Sequence, residues 1–87
     1  MKNEKTEMER MYIEVGLLAH RLIKAGKRMN CDELLNWINE NFTFNHNYGG
    51  VRGVLQAAHR RTDNPDIKKA LEEAFVDMNG EPLSWSF

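Results

Sequence analysis

The residues of this chain best suited to a chemical role are the arginine and glutamine side chains that follow a pair of glycines near its middle. In a DNA major groove, arginine pairs with guanine and glutamine pairs with adenine. The run from Tyr48 to Arg61 spaces such side chains three and four residues apart, which places them on one helical face. Glycines at its start would let backbone N–H groups approach a phosphate. The pattern predicts nucleic-acid contacts at Gly49, Gly50, Arg52, Gln56, His59, Arg60 and Arg61, with Lys27 and Arg28 as further phosphate contacts.

Other kinds of chemistry lack the residues they need. The three histidines lie far apart in the sequence, and one cysteine, Cys31, cannot provide the paired Cys/His spacing of a zinc site. The glycine-rich run has neither the lysine nor the hydroxyl residue of a phosphate-binding loop. Cys31 precedes a predicted helix, where a thiol pKa can be lowered, but with no histidine partner we expect an inert side chain. We therefore expect a protein that is not an enzyme and uses no metal or cofactor.

Size and charge restrict the partners. A chain of 87 residues is expected to form one domain, and with 41% apolar and 29% charged residues it is not expected to be disordered. The formal net charge of −1 excludes a polycation that coats nucleic acid through bulk charge. No apolar run approaches the ~20 residues of a membrane span, and the N-terminus does not resemble a signal peptide. We expect a cytoplasmic protein with a reduced thiol.

Hydrophobic periodicity predicts a mainly α domain with four helices, at about residues 5–25, 31–41, 50–62 and 65–75. Asn30 and Glu33 can form a capping box at the start of the second helix, and Asn64 before Pro65 can cap the fourth. Gly16 weakens the interior of the first helix, so we expect it to mark close packing with another helix.

The end of the chain changes to a strand-like pattern. Asn79-Gly80 is the dipeptide preferred in a two-residue type I′ turn, and it predicts a β-hairpin over about residues 75–86. In that register Val76 lies opposite Leu83, and Leu83, Trp85 and Phe87 share its face. Pro82 would restrict its strand to an edge of the sheet.

The order of these elements and the stretch at residues 48–54 (YGGVRGV) resemble small phage- or prophage-encoded helix-turn-helix proteins of winged-helix type. The resemblance implies that helices two and three form the DNA-binding motif and that the hairpin acts as a wing. Two features depart from it. The connection between helices two and three is about seven residues, longer than in the simple motif, and an extra helix precedes the hairpin.

Three interpretations follow. The first is a small DNA-binding regulator, with a possible homodimer through the Met8, Met11, Tyr12 and Val15 face of the first helix. The second is a phage-type interaction protein or inhibitor that docks on a host enzyme or defence complex, because aromatic side chains dominate interface energetics. Its candidate anchors are Phe44, Tyr48, Met78, Trp85 and Phe87. The third is purely structural: the glycines permit a tight turn and close packing, and the arginines are merely solvated.

Overall fold

The computed structural model of the protein describes residues 4–42 and 50–81. These residues form α1 (Glu4–Lys24), β1 (Met29–Asn30), α2 (Cys31–Asn41), α3 (Gly50–Arg61), α4 (Pro65–Glu73) and β2 (Phe75–Val76). The protein is mainly helical, as predicted, and its helices begin and end close to the predicted bounds. None of the helices within the described residues is both long and apolar enough to cross a membrane.

The core lies where α1 packs against α3 and α4, with α2 adding one further apolar side. Its largest fully buried side chains are Phe75, Met11, Leu34, Ile38, Leu55, Leu71, Val15 and Val54. Met11 and Val15 have no exposed surface, and Tyr12 is only 7% exposed. The predicted dimer face is therefore wrong, because most of it is already buried within one copy of the chain.

Gly16 lies on α1 where the side chain of Ile67 on α4 packs against it. A Cβ atom built on Gly16 would stand 3.0 Å from Cγ2 of Ile67, which is tighter than almost all such contacts. The prediction that this glycine marks close helix packing is confirmed. A larger residue would require the side chain of Ile67 to move.

Local hydrogen bonds cap the helices at the positions that their sequences predict. Asn30 Oδ1 accepts from the N–H of Glu33, and Glu33 Oε1 accepts from the N–H of Asn30, which completes the capping box of α2. Asn64 Oδ1 accepts from the N–H of Asp66 at the start of α4. After α1, Gly26 has φ of 69°, and the N–H of Lys27 returns to the carbonyl of Leu22. This is the pattern of a Schellman C-cap.

The two short strands form a parallel pair that the periodicity does not predict. Met29 lies beside Phe75 and Asn30 lies beside Val76. The N–H of Met29 also donates to the carbonyl of Ala74 at 2.9 Å. Two residues are too few to show alternation, so β1 has no detectable pattern in the sequence. The pairing joins the segment before α2 to the segment after α4.

The turn after β2 differs from the predicted type I′ turn. A type I′ turn needs positive φ at both central residues, but Gly80 has φ of 79° whereas no described non-glycine residue has positive φ. The N–H of Asp77 donates to the carbonyl of Glu81, and the N–H of Gly80 donates to the carbonyl of Asp77. The loop therefore has three residues, with Met78 inside it. The rest of the predicted hairpin, residues 82–86, and its pairing with Leu83 lie outside the described residues.

We predict that Gly16→Val lowers the free energy of unfolding by about 1–3 kcal/mol, the usual cost of overpacking a core. Urea denaturation measures this loss. The same substitution should cost less in an Ile67→Ala background, because the side chain that it meets has been shortened. Equal stability of Gly16→Val and the wild type would contradict the close packing described above.

Candidate nucleic-acid interface

One face of α3 is buried and the opposite face is exposed or half-buried. Val54 and Leu55 have no exposed surface, and Ala57 and Ala58 are also buried. Their burial against the core turns the opposite side of the helix outward. That side carries Arg52 and Arg60, which are exposed, and Gln56, which is half-buried between them. Three of the predicted contact residues therefore share one outward face.

The start of α3 has space beside its first residue, Gly50. Gly50 is exposed and has φ of 82°, and a Cβ atom added there would meet nothing within 4 Å. A left-handed φ favours glycine, which explains the residue type at this position. The first turn contains no acidic residue. The other predicted glycine contact, Gly49, lies outside the described residues.

His59 is held by α4 instead of facing outward with Arg52. Its side chain is only 12% exposed, and Nε2 lies 2.9 Å from Oε2 of Glu72. The two form an ion pair when the imidazole is protonated. The sequence around α3 gives no sign of this acid, because Glu72 is 13 residues away in the chain. Tertiary packing thus places a carboxylate beside the C-terminal end of the basic surface.

Arg61 points away from the other arginines of α3. Its guanidinium lies over the ring of Tyr12 on α1, 4.6 Å from the centroid. Nη1 also donates to the carbonyl of Ala57, one turn back along α3. An arginine stacked on an aromatic ring in this way stabilises helix packing. Although predicted as a phosphate contact, Arg61 does not lie on the outward face of Arg52 and Gln56.

Lys68 fixes the C-terminal end of α3. Its Nζ donates to the carbonyl of His59 at 2.9 Å. Carbonyl groups in the last turn of a helix lack intrahelical partners, and a cation there also interacts favourably with the negative end of the helix dipole. The sequence offers no signal for this contact, because it joins two different helices.

The remaining predicted phosphate contacts lie between α1 and β1. Lys27 and Arg28 are both exposed, and Arg28 Nη1 donates to the carbonyl of Lys27 at 3.0 Å. They precede β1, which leads directly into α2. Lys27 and Arg28 belong to a different segment from the face formed by Arg52 and Gln56, so they remain separate candidate contacts.

Cys31 is the first residue of α2 and lies close to the end of β2. Its Sγ lies 3.8 Å from the carbonyl oxygen of Val76. Burial raises the pKa of the thiol above its usual 9.0, and the charge of Asp32 raises it further. Arg52 lowers this pKa and Asp77 raises it. The thiol therefore stays protonated near neutral pH.

Of the candidate protein-binding anchors, only Met78 lies within the described residues. It is 69% exposed in the three-residue loop after β2. Backbone hydrogen bonds close that loop, and Asp77 Oδ1 also accepts from the N–H groups of Asn79 and Glu81. Phe44, Tyr48, Trp85 and Phe87 lie outside the described part of the chain.

No group of three or more His, Cys, Asp or Glu side chains among the described residues is arranged to hold a metal ion. Comparison with family models, with curated proteins and with solved structures finds no match to this chain. The functional argument therefore depends on the geometry of α3 and its neighbours.

We predict that the Cys31 thiol reacts more slowly with iodoacetamide at pH 8 in the folded protein than in urea, because its raised pKa reduces the thiolate fraction. The unfolded chain loses this proton first as pH rises, so the folded state is destabilised above about pH 9. Thermal unfolding between pH 8 and pH 10 measures this effect. Cys31→Ala should remove the part of this pH dependence that the thiol causes. An unchanged pH dependence of stability would contradict the raised thiol pKa.

Proposed function

We propose that this protein is a small non-enzymatic DNA-binding regulator that presents the outward face of α3 to the duplex. The observation that carries the proposal is the grouping of Arg52, Gln56 and Arg60 on a helix that has no acidic residue and whose other face is buried. Arginine and glutamine are the side chains best able to pair with guanine and adenine in a major groove.

The N-terminal half of α3 is the better candidate for base contact. Recognition helices commonly use their N-terminal residues to contact base edges. Arg52 stands in the first turn beside exposed Gly50, whereas Glu72 lies against the C-terminal end at His59. A carboxylate near DNA is repelled by phosphates, so we propose that the first two turns approach the groove most closely.

In this proposal the turn after β2 acts as a wing. The turn follows Val76, whose carbonyl oxygen lies 3.8 Å from Sγ of Cys31, so it begins beside the start of α2. The carboxylate of Asp77 accepts two backbone N–H groups within its own turn. This arrangement supports the winged-helix part of the proposal, in which α2 and α3 form the helix-turn-helix unit.

The small net charge determines what kind of affinity is expected. A chain with a formal charge of −1 gains no bulk attraction to DNA. Its binding must come from a few local contacts, and these make binding dependent on salt. Each phosphate contact contributes a slope of about −0.9 in the plot of log K against log salt.

We predict that Arg52→Ala weakens duplex binding by about 5–100-fold, as expected for loss of one specific arginine contact. Arg60→Ala should weaken binding and reduce the salt slope by about one phosphate contact. Fluorescence anisotropy with a mixed-sequence duplex at several salt concentrations measures both effects.

Arg61→Ala is the matched control, because it removes the same charge from the same helix but acts on Tyr12. Arg61→Ala should lower the free energy of unfolding and should change DNA affinity less than the other two substitutions do. If the wild type does not bind duplex at low salt, or if all three variants bind equally well, the proposed interface is wrong.

A second variant should change affinity in the opposite direction. We predict that Glu72→Gln strengthens duplex binding several-fold, because the substitution removes a carboxylate beside the basic face while keeping an oxygen that can accept a hydrogen bond from His59. Glu81→Gln, on the turn after β2, serves as a comparison for loss of a negative charge elsewhere. An equal gain from both variants would indicate a general charge effect, and no gain would remove Glu72 from the interface.

Docking on a host protein has less support from the described residues. Its one described anchor is Met78, and single exposed apolar side chains are common on protein surfaces. A protein that fails to bind duplex but forms a stoichiometric complex with a host enzyme would favour this second function.

A further inference from the structure

The outward side of α1 carries two large aliphatic side chains. Ile13 is 62% exposed and Leu17, one turn further along, is 43% exposed. They lie opposite Met11 and Val15, which have no exposed surface. The outward side of a surface helix is usually polar. Adjacent exposed aliphatic residues at its centre therefore depart from the pattern that folding alone requires.

A shallow groove lies beside this pair. Tyr12 and Gly16 of α1 form one wall, and Ala58, Thr62 and Ile67 contribute from α3, the following loop and α4. Its volume is about 80 Å³, well below the ~300 Å³ of typical small-molecule pockets. The groove and the exposed pair make a surface with both a projection and a recess. Such a surface suits a protein side chain better than a small ligand.

The charges along α1 indicate which partner fits. Exposed Glu9 precedes the aliphatic pair and exposed Arg21 follows it, each six residues from Val15 at the centre of the pair. Neither makes an ion pair within residues 4–42 and 50–81. If a second α1 lies antiparallel across the first, Ile13 meets Leu17 and Glu9 meets Arg21. The twofold symmetry repeats both contacts, which is the requirement for an isologous dimer.

One further pair in this register brings two positive charges together only when the histidine is protonated. Arg10 lies opposite His20, but the guanidinium of Arg10 turns aside to Glu7 Oε2 at 3.3 Å and to the ring of Phe42 at 4.6 Å. The apolar centre and the two Glu9–Arg21 contacts therefore determine the pairing.

We propose that this chain forms a weak antiparallel homodimer through Ile13 and Leu17 of α1, aligned by Glu9 of each copy against Arg21 of the other. The interface is small, so the dimer dissociates readily, as interfaces at the low end of the size range do. It leaves the outward face of α3 uncovered, because Arg61 turns toward this groove while Arg52 and Gln56 lie on the other side of α3. The dimer does not depend on DNA binding.

The experiment is sedimentation equilibrium without DNA, over protein concentrations from about 10 µM to about 1 mM, where weak transient dimers are populated. The wild type should approach twice the monomer mass at the top of this range. Leu17→Glu should weaken dimerisation at least about tenfold, because both copies carry the buried charge. Leu35→Glu makes the same change at another exposed leucine and should leave the dimer unchanged. Circular dichroism checks that every variant remains folded.

Charge reversal tests the antiparallel register. Glu9→Arg and Arg21→Glu should each weaken the dimer, and the double variant should restore it, because the reversed charges again meet as opposites. A wild type that is monomeric up to about 1 mM overturns the proposal and leaves this face to another protein. A dimer that survives Leu17→Glu, or single reversals that the double variant does not rescue, also overturn it. Loss of DNA binding in Arg52→Ala would not affect these results.

Discussion

The close packing of α1 against α4 at Gly16 is the constraint on which the arrangement of the other elements depends. Because Gly16 has no side chain, Ile67 can approach the backbone of α1 to a distance that a larger residue would prevent. α3 packs beside both helices, and its apolar side chains complete the core. With α4 held close, Lys68 binds the backbone carbonyl of His59 near the C-terminal end of α3, and Glu72 contacts the imidazole of His59. A single small residue thus influences both the core and the electrostatic surroundings of α3.

That packing also makes the basic surface smaller than the sequence pattern suggests. Five candidate side chains occur along α3, but the fold divides them among three directions. His59 turns to α4, Arg61 turns to α1, and Arg52, Gln56 and Arg60 remain outward. The reduced surface has no acidic residue of α3 itself, but Glu72 of α4 lies beside its C-terminal end at His59.

The features that were predictable from sequence are those that depend on neighbours within a few residues. The helices, the Asn30–Glu33 capping box and the Asn64 cap all follow from short-range spacing. The parallel pairing of Met29 with Phe75 and the contact of His59 with Glu72 join distant segments, so periodicity could not indicate them. The predicted turn failed for a different reason. Asn-Gly fits a type I′ turn, but Asp77 stabilises a longer loop by accepting two N–H groups.

The first helix shows how the same sequence rules can locate a second surface. Part of its apolar stripe was predicted as a possible dimer face, but a residue buried in one copy cannot also bind another. Met11 and Val15 are used by the core, so any contact between copies must use side chains that the core leaves outside. Ile13 and Leu17 satisfy that condition, and they depart from the polar pattern expected of an outward face. Burial among the described residues does not explain them, which is why we propose an intermolecular contact for this pair, and the opposite charges of Glu9 and Arg21 on either side favour an antiparallel copy of the same helix in that proposal.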